Sequence, residues 1–206
     1  MGGGEVGNPF YNIQRMFEIT KMAWSDWGLG TSIGFSVGGA PYYKFFAFFQ
    51  DVGIPGFVLQ ASFFFFCLFL TLASSYLLVG EVLPKTSKVS RFLSAIFYLV
   101  NPYALVNIWN RFLPNQIMFY SFLPLGIWLF IYGLRTKKYF FAVLNMVLTA
   151  ILSVAFIGPA QTLMFWGLIF LIVVYYFIFV KKDKFVVFYF LINVCLWFAF
   201  NFFWVI

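Results

Sequence analysis

The chain has 206 residues, of which 64% are hydrophobic, 25% aromatic and only 9% charged. Soluble domains carry about 25% charged residues, so this composition cannot cover a globule with polar side chains, and its apolar content excludes disorder. The net charge of +7 is read as short-loop topology signals in an integral membrane protein, with no nucleic-acid partner expected.

The first 56 residues are the most polar part of the chain. Asn8-Pro9 has the chemistry of a helix start, with Asn as cap and Pro at the first position. Phe10, Ile13, Phe17 and Trp24 then recur at helical spacing, opposite Gln14, Arg15, Glu18 and Lys21. This predicts an amphipathic helix over 8–24 lying on the membrane surface, with Glu18 in a surface ion pair with Arg15 or Lys21. The glycine-rich stretch 28–39 lacks the Lys-Ser/Thr ending of a phosphate-binding loop. Pro41 opens a second short helix over 42–50, and Asp51-Val-Gly53-Ile-Pro55 is a turn.

Six apolar stretches follow, at about 57–80, 89–108, 115–134, 139–157, 160–180 and 185–206. A helix needs roughly 20 residues to span a bilayer. Runs such as Phe63-Phe64-Phe65-Phe66 do not alternate as barrel strands do, so helices are predicted. The fold class is therefore all-α: a polytopic integral membrane bundle of about six spans (57–206) behind an extracytoplasmic amphipathic-helix segment (1–56).

Nine of the 13 basic residues fall in loops on one side: Lys85, Lys88 and Arg91; Arg135, Lys137 and Lys138; Lys181, Lys182 and Lys184. The positive-inside tendency places them in the cytoplasm. Residues 1–56 are then extracytoplasmic in a multi-pass cell-membrane protein. No apolar signal precedes that segment, so an upstream helix is expected and the chain reads as a fragment of a longer protein, a small complete protein being the alternative. There is no His, and Cys67 and Cys195 lie in apolar runs where burial is expected, so neither a zinc site nor a disulfide framework is predicted. Asn101-Pro102 should weaken the second span and Pro124 should kink the third, which suits a cavity open to the outer face.

The run Asn12 to Trp24, the stretch Gly28 to Gly39, then Ala40-Pro41-Tyr42-Tyr43 and Gly53-Ile54-Pro55 with Gln60 resemble the first outer loop and second membrane helix of GT-C glycosyltransferases, the arabinofuranosyltransferase type in particular. Asn101-Pro102-Tyr103, Leu123-Pro124-Leu125 and Gly158-Pro159-Ala160-Gln161 stand where that type carries related short motifs. The resemblance implies a polyprenyl-phosphate-linked sugar donor, an envelope glycan or glycoprotein acceptor and transfer at the outer face. It also implies a carboxylate base in the first outer loop and a divalent cation or a cationic side chain at the departing phosphate. That type places an acid near Gly7-Asn8, and Asn8 cannot act as a base. The candidate bases are therefore Asp26, Glu5 and Asp51, and the candidate phosphate partners Arg111, Arg15 and Lys44. The alternative is a non-catalytic membrane protein of the same fold that binds lipid or a partner subunit, such as the rest of its parent protein. A transporter is disfavoured because the spans hold almost no charge.

Overall fold

A computed structural model of the chain describes residues 12–21, 24–25, 31–32, 34–180 and 183–205. Among these residues the architecture is helical, apart from one two-residue antiparallel ladder of β1 (Trp24–Ser25) with β2 (Thr31–Ser32).

Helix α1 (Ile13–Thr20) is shorter than the predicted 8–24. Asn12 is non-helical, and its side-chain oxygen accepts the Arg15 N–H at 3.0 Å, so Asn12 and not Asn8 is the cap. Residues 8–11 lie outside the described residues, and Trp24 belongs to β1. The facing is as predicted where it is described: Ile13 is buried and Phe17 packs on the core, while Arg15 and Glu18 are exposed. Glu18 pairs with Lys21 at 2.6 Å. A 3-10 turn, Gly34–Gly39, leads into α2 (Ala40–Asp51), which packs against α1.

Among the described residues, four helices are long and apolar enough to cross a membrane. They are α3 (Gly56–Val82), α5 (Pro114–Thr136), α7 (Pro159–Tyr175, extended by a π turn Tyr176–Val180) and α8 (Lys184–Val205). The stretches predicted as the second and fourth spans are interrupted. The former is α4 (Lys88–Val100), which stops before Asn101-Pro102, followed by a π segment Ala104–Trp109. The latter is α6 (Tyr139–Ile151) followed by a 3-10 turn Ser153–Phe156.

Helix α5 is the hub. It is largely buried and packs on α3, α6 and α7, with Phe122 and Phe130 wholly enclosed. Two glycines permit the close approach. A Cβ on Gly126 would lie 2.7 Å from the Phe165 ring, and one on Gly133 would collide with the Tyr189 hydroxyl. The outer helix faces are apolar and exposed, Phe69 at 71% and Leu163 at 73%, as lipid-facing side chains are. Cys67 is buried, whereas Cys195 is on an exposed face of α8, contrary to the expectation of burial.

The two ends of the bundle differ. At one end Arg135 pairs with Glu81 at 2.7 Å and Lys137 with Asp183 at 2.8 Å, which gathers the loops after α3, α5 and α7. Helices α6 and α8 both start there and run parallel. Tyr139 meets Phe185 near their starts, and Asn201 donates to Thr149 Oγ1 at 3.1 Å near their far ends. At the far end Gly34–Gly39 packs on α8, and the Ser153 hydroxyl donates to the Gly38 carbonyl.

Candidate functional site

Two prolines shape the far end. Proline has no N–H, so the carbonyl four residues earlier loses its helical donor. Pro124, inside α5, strips the Tyr120 carbonyl in this way, while the Tyr98 carbonyl lies in the last turn of α4, which ends at Val100 and leaves it without a helical donor. Each tyrosine supplies the other. The Tyr98 hydroxyl donates to the Tyr120 carbonyl at 3.1 Å, and the Tyr120 hydroxyl donates to the Tyr98 carbonyl. The rings stack with centroids 4.4 Å apart and planes 3° from parallel. Asn101 fastens the same corner: its amide donates to the Tyr98 carbonyl at 2.8 Å and to the Tyr120 hydroxyl at 3.0 Å, while its oxygen accepts the Ala104 N–H at 3.0 Å. The Trp109 indole N–H donates to the Leu99 carbonyl at 2.7 Å, folding the π segment back on α4.

The chain then turns sharply into α5. Phe112 has φ +52°, a left-handed conformation that bulky residues seldom adopt and that costs on the order of 1–3 kcal/mol. Its ring lies 5.7 Å from that of Phe64, so packing against α3 holds the turn that presents Arg111.

These elements enclose a pocket of about 350 Å³ between the π segment, α5 and the start of α7. Its polar wall is Asn107, Arg111, Gln116 and Gln161. The rings of Tyr98, Tyr103 and Tyr120 form a second wall, and Ile108, Phe119, Leu123 and Met164 make the apolar part. Tyr103 and Met164 are also exposed on the bundle surface, so the pocket reaches the lipid-facing side. It is an amphiphilic site: one guanidinium and three amides beside rings and aliphatic carbon, with no carboxylate among its described lining residues.

Of the described sequence candidates, Arg111 alone lines this pocket. Lys44 and Asp51 line a separate cleft of about 510 Å³ between α1 and α2, together with Gln14 and Glu18. Gln14 donates its side-chain N–H to Asp51 there, so Asp51 sits apart from the Arg111 pocket. Arg15 is exposed on α1 and lines neither. Glu5 and Asp26 lie outside the described residues. Tyr42 and Tyr43, on α2, are neutral phenols: burial pushes both hydroxyls above the usual phenol range.

A divalent cation needs several oxygen ligands, carboxylates above all. Among the described residues no group of three or more Cys, Asp or Glu could hold a metal, so they do not fit the cation that the resemblance implies. The tyrosine wall escaped the sequence reading. Its signal was present, since Tyr98 to Pro102 and Tyr120 to Pro124 are the same Tyr-x-x-x-Pro spacing twice.

No family model, no curated protein and no solved structure matches this chain.

Proposed function

We propose that this is a six-pass cell-membrane protein, with residues 1–56 extracytoplasmic, that binds a phosphate-bearing lipid in the pocket around Arg111. The observation that carries the reading is the placement of one guanidinium among three amides in a pocket that opens toward lipid-facing side chains. A guanidinium binds phosphate oxygens in a bidentate fork, and amides serve the remaining oxygens. Six passes are supported by the parallel course of α6 and α8, because α7 must return between them. Helix α6 with its 3-10 turn extends roughly 27 Å at the usual rises, close to the hydrocarbon thickness of a bilayer.

The resemblance supplies the chemistry of the ligand: a polyprenyl-phosphate-linked sugar, transferred to an envelope glycan or glycoprotein. The three amides favour that reading, since they suit sugar hydroxyls. Transfer needs a base, which the described lining does not provide, so Asp26 and Glu5 are its candidates.

The test is retention of undecaprenyl phosphate by the purified protein in nanodiscs, measured by native mass spectrometry beside the uncharged undecaprenol. Arg111→Ala should lose about tenfold or more in retention of the phosphate, the worth of one charge-assisted contact, and little for the alcohol. Equal retention of the phosphate by the variant and the wild type would discard the site. Sugar transfer that disappears in Asp26→Asn while binding persists would establish the enzyme.

A further inference from the structure

We propose that Tyr98 and Tyr120 are positioning residues for the Arg111 pocket, and that their crossed hydroxyl–carbonyl bonds fix α4 and the π segment against α5 in the ligand-binding geometry. The proposal rests on the reading of that pocket as a lipid-phosphate site.

Three observations converge. Each tyrosine hydroxyl bonds the other's carbonyl, that of Tyr120 freed by Pro124 inside α5 and that of Tyr98 lying in the last turn of α4, so the pair makes two bonds across the helix pair. Both rings line the pocket, so a change in the clasp is a change in the pocket wall. And the clasp is tied through Asn101 and Trp109 to the segment that leads into Arg111. A rotation of α4 about its end would therefore shift the π segment, and with it the guanidinium, relative to Gln116 and Gln161 on α5 and α7.

The two halves are not equivalent. The Tyr98 carbonyl has a second donor in Asn101, whereas Tyr98 supplies the Tyr120 carbonyl across the helix pair. Tyr98→Phe therefore removes more than Tyr120→Phe. Alanine in place of Pro124, inside α5, restores an N–H four residues on from Tyr120, so Pro124→Ala is the matched rescue for Tyr98→Phe; Pro102 lies beyond the end of α4 and offers no such rescue, so Pro102→Ala is the mismatched control.

The experiment measures undecaprenyl phosphate affinity and detergent melting temperature for Tyr98→Phe, for each Pro→Ala variant and for the matched and mismatched doubles. Tyr98→Phe should weaken binding about three- to twentyfold, the range of one interhelical hydrogen bond in a bilayer. The Tyr98→Phe/Pro124→Ala double should return to the affinity of Pro124→Ala, and the mismatched Tyr98→Phe/Pro102→Ala double should show no rescue. Wild-type affinity in Tyr98→Phe, or equal rescue by both prolines, overturns the positioning role. If the wild type binds no polyprenyl phosphate, the ligand reading fails and the positioning role with it, while rescue of the melting temperature in the matched double alone still identifies the clasp.

Discussion

The same substitution, Gly→Ala, should change stability in opposite directions in α5 and α7. In a helix, Ala is favoured over Gly by up to about 1 kcal/mol. At Gly167, on α7, an added Cβ meets nothing within 4 Å, so only this gain remains. At Gly133 the new methyl would collide with the Tyr189 hydroxyl and lie 2.8 Å from Phe141 Cβ and 2.9 Å from Tyr189 Cζ. Carbon atoms prefer separations of about 3.5–4.0 Å. Phe141 Cβ is fixed to the α6 backbone, so α5 and α6 must separate by roughly 1 Å. Overpacking of this kind costs about 1–3 kcal/mol. Gly133→Ala should thus lose about 1–2 kcal/mol net, and Gly167→Ala should gain a few tenths to about 1 kcal/mol. Unfolding by SDS in bicelles, followed by the fluorescence of the seven tryptophans, reads both. Tyr189→Phe in the Gly133→Ala background removes the nearest oxygen and should recover part of the loss, the Phe141 contact remaining. Gly133→Ala as stable as the wild type, or both variants moving in one direction, would refute the packing described for α5.

Among the described residues, Asp183 makes an ion pair with Lys137 and accepts a hydrogen bond from the Phe185 N–H at 3.0 Å that caps α8. Half-exposed ion pairs are worth little and caps about 1 kcal/mol, so Asp183→Asn should stay within about 0.5 kcal/mol of wild type in the same SDS titration while Asp183→Ala loses about 1 kcal/mol. For topology, with Cys195 replaced by Ser, cysteines placed at Lys85 and Lys138 should label with an impermeant maleimide from one side of the membrane and one at Asn110 from the other; labelling of Asn110 and Lys138 from the same side would refute the arrangement of the loops.

The helices were legible in the sequence because apolar length alone marks them: the edges of α3, α5, α7 and α8 follow the runs between Pro55, Pro114, Pro159 and Lys184. The breaks were less legible. Asn101-Pro102 announced the end of α4, but nothing comparable in sequence marks the change from α to 3-10 after Ile151. The start of α1 was not legible either: Asn8-Pro9 has the chemistry of a helix start, yet α1 begins after Asn12, whose side chain accepts the Arg15 N–H. At the site, Arg111 stood out as a lone cation between two apolar spans. Tyr98 and Tyr120 did not, because a tyrosine in an aromatic-rich span reads as lipid-facing until the end of α4 and Pro124 in α5 are seen to give each hydroxyl its partner's carbonyl to bond. The candidate acids were chosen by position in the outer segment. Of these, Asp51 is drawn to Gln14 and away from the pocket.

The two ends of the bundle are held by different forces, and the difference fits a site at the far end. The cationic end is joined by ion pairs whose side chains are partly exposed, Arg135 with Glu81 and Lys137 with Asp183. Such pairs are screened by salt and contribute little to stability. The far end is joined by neutral hydrogen bonds, several of them buried: Ser153 to Gly38, Asn201 to Thr149, and the crossed tyrosines. Among the described residues lining the pocket at that end, Arg111 is the charged side chain, and the walls around it are held by hydroxyls, amides and backbone carbonyls.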